Sequence, residues 1–250
     1  FGRLSNHQER ITRLLARIDY YSAECERDVT LARQMGMRGE VMSVIPNAGG
    51  FDLAHAAQLR SGPPSKRKEI VIKGYQHFAG RALTALKALE IAAPKLSGYT
   101  IRVYSATPDV VIAAQLLARE TGLPIICYSH GNPLDHDAML ALHGHARVSM
   151  GVGISDGIST SFLEALVMGS FPIQSCTACA DEWVEDGVSG FIVSADDPSM
   201  IASRLVRALE DDALDRAAEI NWRTAQDRLE KTKVATAIVD NYRKILGKVG

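Results

Sequence analysis

Apolar residues Ile11, Leu14, Leu15 and Ile18 recur at helical spacing behind a polar opening, so the chain is expected to begin with an amphipathic helix capped by Ser5. A second helical pattern runs from about Ala23 to Met35 and stops at the glycines Gly36 and Gly39. Val41 to Ile45 reads as a short strand, ended by Pro46-Asn-Ala-Gly-Gly50. The polar run Arg60 to Lys68, with two prolines, a glycine and four basic residues, has the composition of a linker. A domain boundary is therefore expected between residues 46 and 68.

From Glu69 the pattern alternates. Strands are expected at Ile70 to Lys73, Thr100 to Tyr104, Pro124 to Tyr128, Arg147 to Val152, Phe171 to Gln174 and Gly190 to Val193. Helical patterns lie between them at about Ala79 to Ala92, Pro108 to Glu120, Ala138 to Leu142 and Ser159 to Met168. Asp197-Pro198 supplies a cap and a first-turn proline for a helix carrying Ile201, Leu205 and Leu209, and helices over about Asp212 to Leu229 and Lys233 to Leu246 follow. Strands separated by helices of ten or more residues imply βαβ units, hence an α/β fold with a Rossmann-like parallel sheet covered by helices on both faces.

Composition narrows the function. Lys plus Arg number 28 against 29 Asp plus Glu, so no charge excess exists to hold a nucleic-acid backbone. No apolar run approaches the roughly 20 residues that span a bilayer. Four cysteines in 250 residues are too few for a disulfide framework, which points to a reducing cytoplasm. Cys176-Thr-Ala-Cys179 lacks the second ligand pair that a zinc site needs and reads as part of a loop. No secretory leader is expected ahead of Phe1-Gly-Arg-Leu, and the missing initiator Met suggests a fragment.

Ligands of open α/β sheets sit beyond the carboxyl ends of the strands, against helix N-termini. The most informative such junction is Gly151-Val-Gly153-Ile-Ser-Asp156-Gly157-Ile-Ser159-Thr160-Ser161-Phe-Leu-Glu164. Its glycines fall as G-x-G-x3-G, one residue too long for the dinucleotide fingerprint, and no P-loop pattern occurs. Glu164 shares a helix face with Thr160 and Ser161, where a carboxylate could accept hydrogen bonds from a vicinal diol while the helix N-terminus takes a phosphate oxygen. Spacing alone leaves open a plain surface Glu behind an ordinary Ser/Thr cap. His143, His145, Asp135, His136 and Asp137 cluster in sequence, but fall on a helix end and loop, and no metal site is assigned to them.

Asp156-x7-Glu164 with Ala165-Leu-Val-Met-Gly169-Ser-Phe-Pro172, then Glu182-x3-Asp186-Gly187-Val-Ser-Gly190-Phe-Ile-Val and Asp197-Pro198, resembles the C-terminal domain of retaining GT-B glycosyltransferases of family 4, the group 1 glycosyltransferases. Val44-Ile-Pro-Asn47 is similar to the family's interdomain segment, and Ile70-Val-Ile-Lys-Gly74 to the first strand of its donor domain. The resemblance implies that residues 1–50 are a remnant of the N-terminal, acceptor-side domain and interdomain segment, 51–68 a linker, and 69–250 the nucleotide-sugar donor-binding domain with C-terminal helices.

It also implies roles. Glu164 would hold the ribose, Asp156, where the family carries Glu, would approach the donor sugar, and the amides around Gly157, Ser159, Thr160 and Ser161 would cradle the diphosphate. The family's G-R-x4-K-G is replaced by Lys73-Gly74-Tyr75-Gln-His77-Phe-Ala-Gly80-Arg81, which makes Arg81 the expected diphosphate clamp, with Gly74 beside it. Ser129 and His130 would lie beside the nucleobase. No cofactor or metal is expected. The implied partners are a UDP-, GDP- or ADP-linked sugar and a glycan or lipid-linked acceptor, with peripheral membrane contact at the inner face through the domain the chain lacks. The isolated chain is then expected to bind donor without transferring sugar. A non-catalytic nucleotide-sugar-binding module and a GT-B sugar-nucleotide epimerase are the alternatives.

Overall fold

The computed structural model describes residues 2–210 and 213–247, and the chain divides into two units, residues 1–50 with 228–250 and residues 51–227. The first unit opens with α1 (Gly2–Leu15), β1 (Tyr20–Tyr21), α2 (Glu26–Gln34) and β2 (Glu40–Val41). The strands pair in parallel, and Leu15, Ala32 and Met37 bury a small core against Ile11, Ile18 and Tyr21. Backbone is already helical at Gly2, so Ser5 lies within α1 rather than capping it. The strand expected over Val41 to Ile45 is only two residues long and lies at its start.

The second unit runs α3 (Leu53–Gln58), β3 (Glu69–Lys73), α4 (Ala82–Ala92), β4 (Thr100–Ala106), α5 (Pro108–Thr121), β5 (Ile125–Ser129), α6 (His136–His145), β6 (Ala146–Gly151), α7 (Thr160–Met168), β7 (Phe171–Ser175), β8 (Phe191–Val193), α8 (Pro198–Glu210) and α9 (Leu214–Arg228). The six strands form one wholly parallel sheet in the order β5-β4-β3-β6-β7-β8. Both faces are covered, which is why the strands read as nearly continuous apolar runs. Ile70 and Ile72 point into a core with Leu86, Leu89, Ile101, Val103, Val110 and Ile201, while the intervening Val71 packs with Tyr104 and Leu142 on the other face. The expected α/β architecture is the one observed, with strand limits within two residues of those read from the sequence.

Residues 51–68 are not a linker. Phe51, Leu53 and Ala56 are buried, Asp52 caps α3 by accepting from the His55 amide, and the Arg67 guanidinium bonds the carbonyls of Ser61, Gly62, Ala146 and Met168. Of the prolines and basic residues that gave the stretch its linker composition, Pro64 and Arg67 are buried. The last helix, α10 (Lys231–Leu246), is capped by Glu230 and belongs to the first unit, where Asn241 accepts from the Ser43 amide and Lys244 pairs with Glu40 at 2.6 Å. The boundary expected to leave 69–250 in one domain therefore shifts. Asp212, the expected start of α9, lies outside the described residues. Among the described residues no helix is long and apolar enough to cross a membrane.

Candidate functional site

Strand order reverses direction between β3 and β6, so the loops leaving their carboxyl ends diverge and open a crevice. A cleft of about 230 Å³ occupies this point, walled by Lys73, the loop from Tyr75 to Gly80, the turn from Gly151 to Asp156, and Gln174 and Ser175 at the end of β7.

The two loops are laced together before any ligand arrives. Ile154 donates to the Ala79 carbonyl and Arg81 to that of Val152, and Gly80 and Gly153 form an antiparallel bridge. Glycine is required at position 80, because a Cβ there would meet the Tyr75 carbonyl oxygen at 1.9 Å. Gly74 is fixed by packing too. A Cβ would strike Val103 and Ala106, its N–H donates to Tyr104 and its carbonyl accepts from Thr107, so both backbone groups that could have met a ligand are spent on β4.

The cation facing the cleft is Lys73. As the last residue of β3 it leaves the sheet upward, and Nζ donates to Ser159 Oγ at 3.1 Å. Ser159 is the N-cap residue of α7, and its Oγ also lies 2.9 Å from Ser161 Oγ. An ammonium thus sits at a helix start whose first amides have no intrahelical acceptor, a pairing that suits an anion with several oxygens. Asp156 lines the same cleft, Gly157 follows it, and Thr160 is exposed at the first turn. Arg81, the expected clamp, spends part of its guanidinium within the protein. Its Nη1 donates to the carbonyls of His77, Phe78 and Gly80, and Nε pairs with Asp196 at 3.1 Å. The guanidinium holds the loop that forms one wall.

Glu164 lies one turn behind Ser161 and is only 6% exposed. Burial pushes its carboxyl up to about 7, opposed by the positive charge of Lys73. Its neighbours are polar and equally buried. His143 Nε2 is 3.7 Å from Glu164 Oε2, His143 Nδ1 is 2.8 Å from Ser149 Oγ, and Ser149 Oγ is 2.7 Å from Ser170 Oγ. Burial drives the imidazole down to about 3 and the Tyr104 hydroxyl, bonded to Ser161, well above its ordinary value. Lys73, His143, Tyr104 and Gln174 were not expected here. The signal for Lys73 was a charge ending an apolar strand, whereas His143 stood out only as one of a cluster of histidines and aspartates at a helix end, and nothing there signalled its burial.

Ser129 ends β5, and its Oγ accepts from the Gly131 amide. His130 lies with its ring centroid 5.4 Å from that of Tyr75, which in turn meets His77 edge-on at 3.9 Å. An aromatic margin including Phe78, 83% exposed, therefore rims one side of the cleft. Asp135 caps α6 and Asp137 pairs with His55, so the acidic groups of that stretch and the buried His143 serve separate ends.

No family model and no curated protein matches the sequence. Solved structures do match. The sucrose-phosphate synthase of Thermosynechococcus elongatus superposes with a TM-score of 0.74 at 17% identity over 98% of this chain and 62% of its own. The α,α-trehalose 6-phosphate synthase of Burkholderia multivorans gives 0.80 at 14% identity over 99% and 64%. Anabaena Alr3699/HepE, solved in complex with UDP-glucose, gives 0.72 at 16% over 96% and 69%. This chain therefore spans less than two thirds of the length of the first two. At such identities the likeness establishes the fold, a Rossmann-like domain of the kind found in GT-B glycosyltransferases.

Proposed function

We propose that the chain is the donor-binding half of a retaining glycosyltransferase of the group 1, family 4 type. It would take a nucleotide-diphosphate sugar and pass the sugar to a glycan or lipid-linked acceptor in the cytoplasm, at the inner face of the membrane. The observation that carries this reading is the pairing, at the switch point of the sheet, of the Lys73 ammonium with the N-terminus of α7 above a buried carboxylate. HepE bound to UDP-glucose and a Burkholderia xenovorans trehalose-phosphate synthase bound to glucose-6-phosphate share the fold and support both halves of the reading.

In this mechanism the diphosphate lies against Lys73 and the amides at Ser159, Thr160 and Ser161, with Gly157 leaving the backbone accessible. As the bond between the sugar C1 and the diphosphate oxygen breaks, negative charge grows on that oxygen. The ammonium and the helix N-terminus are aimed at it beforehand, so no reorganisation is needed at the moment of reaction. The acceptor hydroxyl then bonds to C1 on the face the diphosphate leaves, and its proton passes to the departing phosphate. Asp156 faces the donor sugar, Glu164 accepts from the ribose hydroxyls through the first turn of α7, and Ser129 and His130 flank the base. Arg81 serves this site by bracing the loop from His77 to Gly80. The chemistry calls on no metal or cofactor.

Calorimetric titration of the chain with UDP, GDP and ADP tests the proposal. It predicts micromolar to millimolar binding of one of them, unchanged by EDTA; binding of none, or binding that EDTA abolishes, would contradict it.

A further inference from the structure

Behind the cleft the structure carries an unpaired group that the proposed chemistry does not use. His143 Nε2 is completely buried and has no hydrogen-bond partner, yet it is aimed at the Glu164 carboxyl from 3.7 Å. The opposite ring nitrogen is bonded to Ser149, whose hydroxyl is bonded in turn to the fully buried Ser170. Burying an imidazole nitrogen without a partner is unfavourable, and an apolar residue could have filled the same space.

A serine hydroxyl both donates and accepts, so once the 3.7 Å gap between Glu164 and His143 closes to hydrogen-bond distance, the chain from Glu164 through His143 and Ser149 to Ser170 has two arrangements. With Glu164 neutral, its O–H donates to Nε2, Nδ1–H donates to Ser149, and Ser149 donates to Ser170. With Glu164 ionised, Nε2–H donates to the carboxylate, Ser149 donates to Nδ1, and Ser170 donates to Ser149. Between the two, the carboxyl proton passes to Nε2 and the proton on Nδ1 is given up, a net loss of one proton to solvent. The imidazole is neutral in both.

We propose that His143 is a positioning residue for Glu164, exchanging its proton between Nδ1 and Nε2 so that the carboxyl group keeps a partner in either charge state. The charged and titratable groups facing this pair are Lys73 from β3 and Tyr104 from β4. Arg60 and Arg67 lie at the far end of α7, on the carbonyls of Val167 and Met168. Lys73 favours the carboxylate and burial opposes it, which leaves the balance within reach of a ligand. Where the inference concerns nucleotide, it rests on the donor-binding reading: a ribose diol needs acceptors, so binding would select the ionised arrangement.

The first test needs no ligand. In the chain labelled with 15N-histidine, the Nδ1 and Nε2 shifts of His143 should exchange character with a midpoint near pH 7, without reaching imidazolium values above pH 5. In Glu164→Gln the exchange should vanish. A His143 signal that is independent of pH in the wild type, or that titrates as an imidazolium near pH 6.5, overturns the proposal. The second test follows UDP affinity from pH 5.5 to 8.5. It should rise with pH through 7, fall about tenfold at pH 7 in His143→Phe with the midpoint moved up by about one unit, and return to within threefold of wild type in His143→Gln. Equal losses in both variants with an unmoved midpoint would mean that His143 only packs. If wild type binds none of UDP, GDP and ADP at any pH, the nucleotide reading fails and the NMR titration alone decides the role of His143.

Discussion

The two junctions that wall the cleft use their polar groups in opposite ways. Between β3 and α4 the chain is closed on itself: Gly74 bonds to β4, Gly80 abuts the Tyr75 carbonyl, and Arg81 spends Nη1 on three carbonyls and Nε on Asp196. Between β6 and α7 the donors are left pointing outward, with Lys73 leaning across onto Ser159 at the head of the helix. One junction is closed scaffold and the other leaves the first amides of a helix without intrahelical acceptors. A cation therefore cannot be assigned to a ligand from its sequence neighbourhood. What distinguishes them is how much of the hydrogen-bonding capacity is already spent: Nε and Nη1 of Arg81 are bonded to Asp196 and three carbonyls, whereas Lys73, eight residues away, donates to Ser159.

The contrast can be broken most severely at Gly80. In Gly80→Ala the new methyl carbon would overlap the Tyr75 carbonyl, so the scaffold junction must open. A loss of about 3 kcal/mol or more in urea unfolding is expected, large for one added methyl. A change under about 1 kcal/mol would show that the loop is not braced as described. On the binding side, Glu164→Ala should weaken UDP binding about tenfold or more in calorimetry, the value of one hydrogen bond to a charged group, with UDP still titratable. An unaltered Kd would remove Glu164 from the ribose contact.

The smallest effect sharpens the contrast through pH. Glu164 holds its proton more tightly folded, near 7, than its ordinary 4.5, so its contribution to stability is full below about 4.5 and is lost as pH rises toward 7. His143 holds its proton less tightly folded, near 3 against 6.5, so its contribution is full above 6.5 and is lost as pH falls toward 3. Between pH 4.5 and 6.5 the two slopes oppose each other. Wild type should therefore melt at a nearly constant temperature there, whereas Glu164→Gln should melt progressively higher as pH rises. A flat profile in the variant would mean that His143 is not held neutral.

Periodicity was enough to read the six strands and the helices between them, because the parallel strands other than the edge strand β5 are largely buried on both faces and each helix shows the sheet one stripe. It failed where three-dimensional contact overrides composition. Residues 51–68 look solvated, yet Phe51, Leu53 and Ala56 are buried and Arg67 is consumed by four carbonyls. Of the candidate residues, Asp156, Ser159, Thr160 and Ser161 could be placed together from the sequence because they sit at one strand-to-helix turn. The Lys73 contact joins residues 86 apart in sequence, and the direction of a strand's last side chain depends on where the next loop goes. His143 was noted only within a cluster of histidines and aspartates, because sequence position does not tell a buried imidazole from an exposed one.

The central claim is that the cleft binds a nucleotide diphosphate through Lys73 and not through Arg81. Calorimetric titration of UDP into wild type, Lys73→Met and Arg81→Met tests it most directly. The account predicts a Kd raised about tenfold to a hundredfold by Lys73→Met and changed less than threefold by Arg81→Met. The reverse ranking, or equal losses in the two variants, would contradict it.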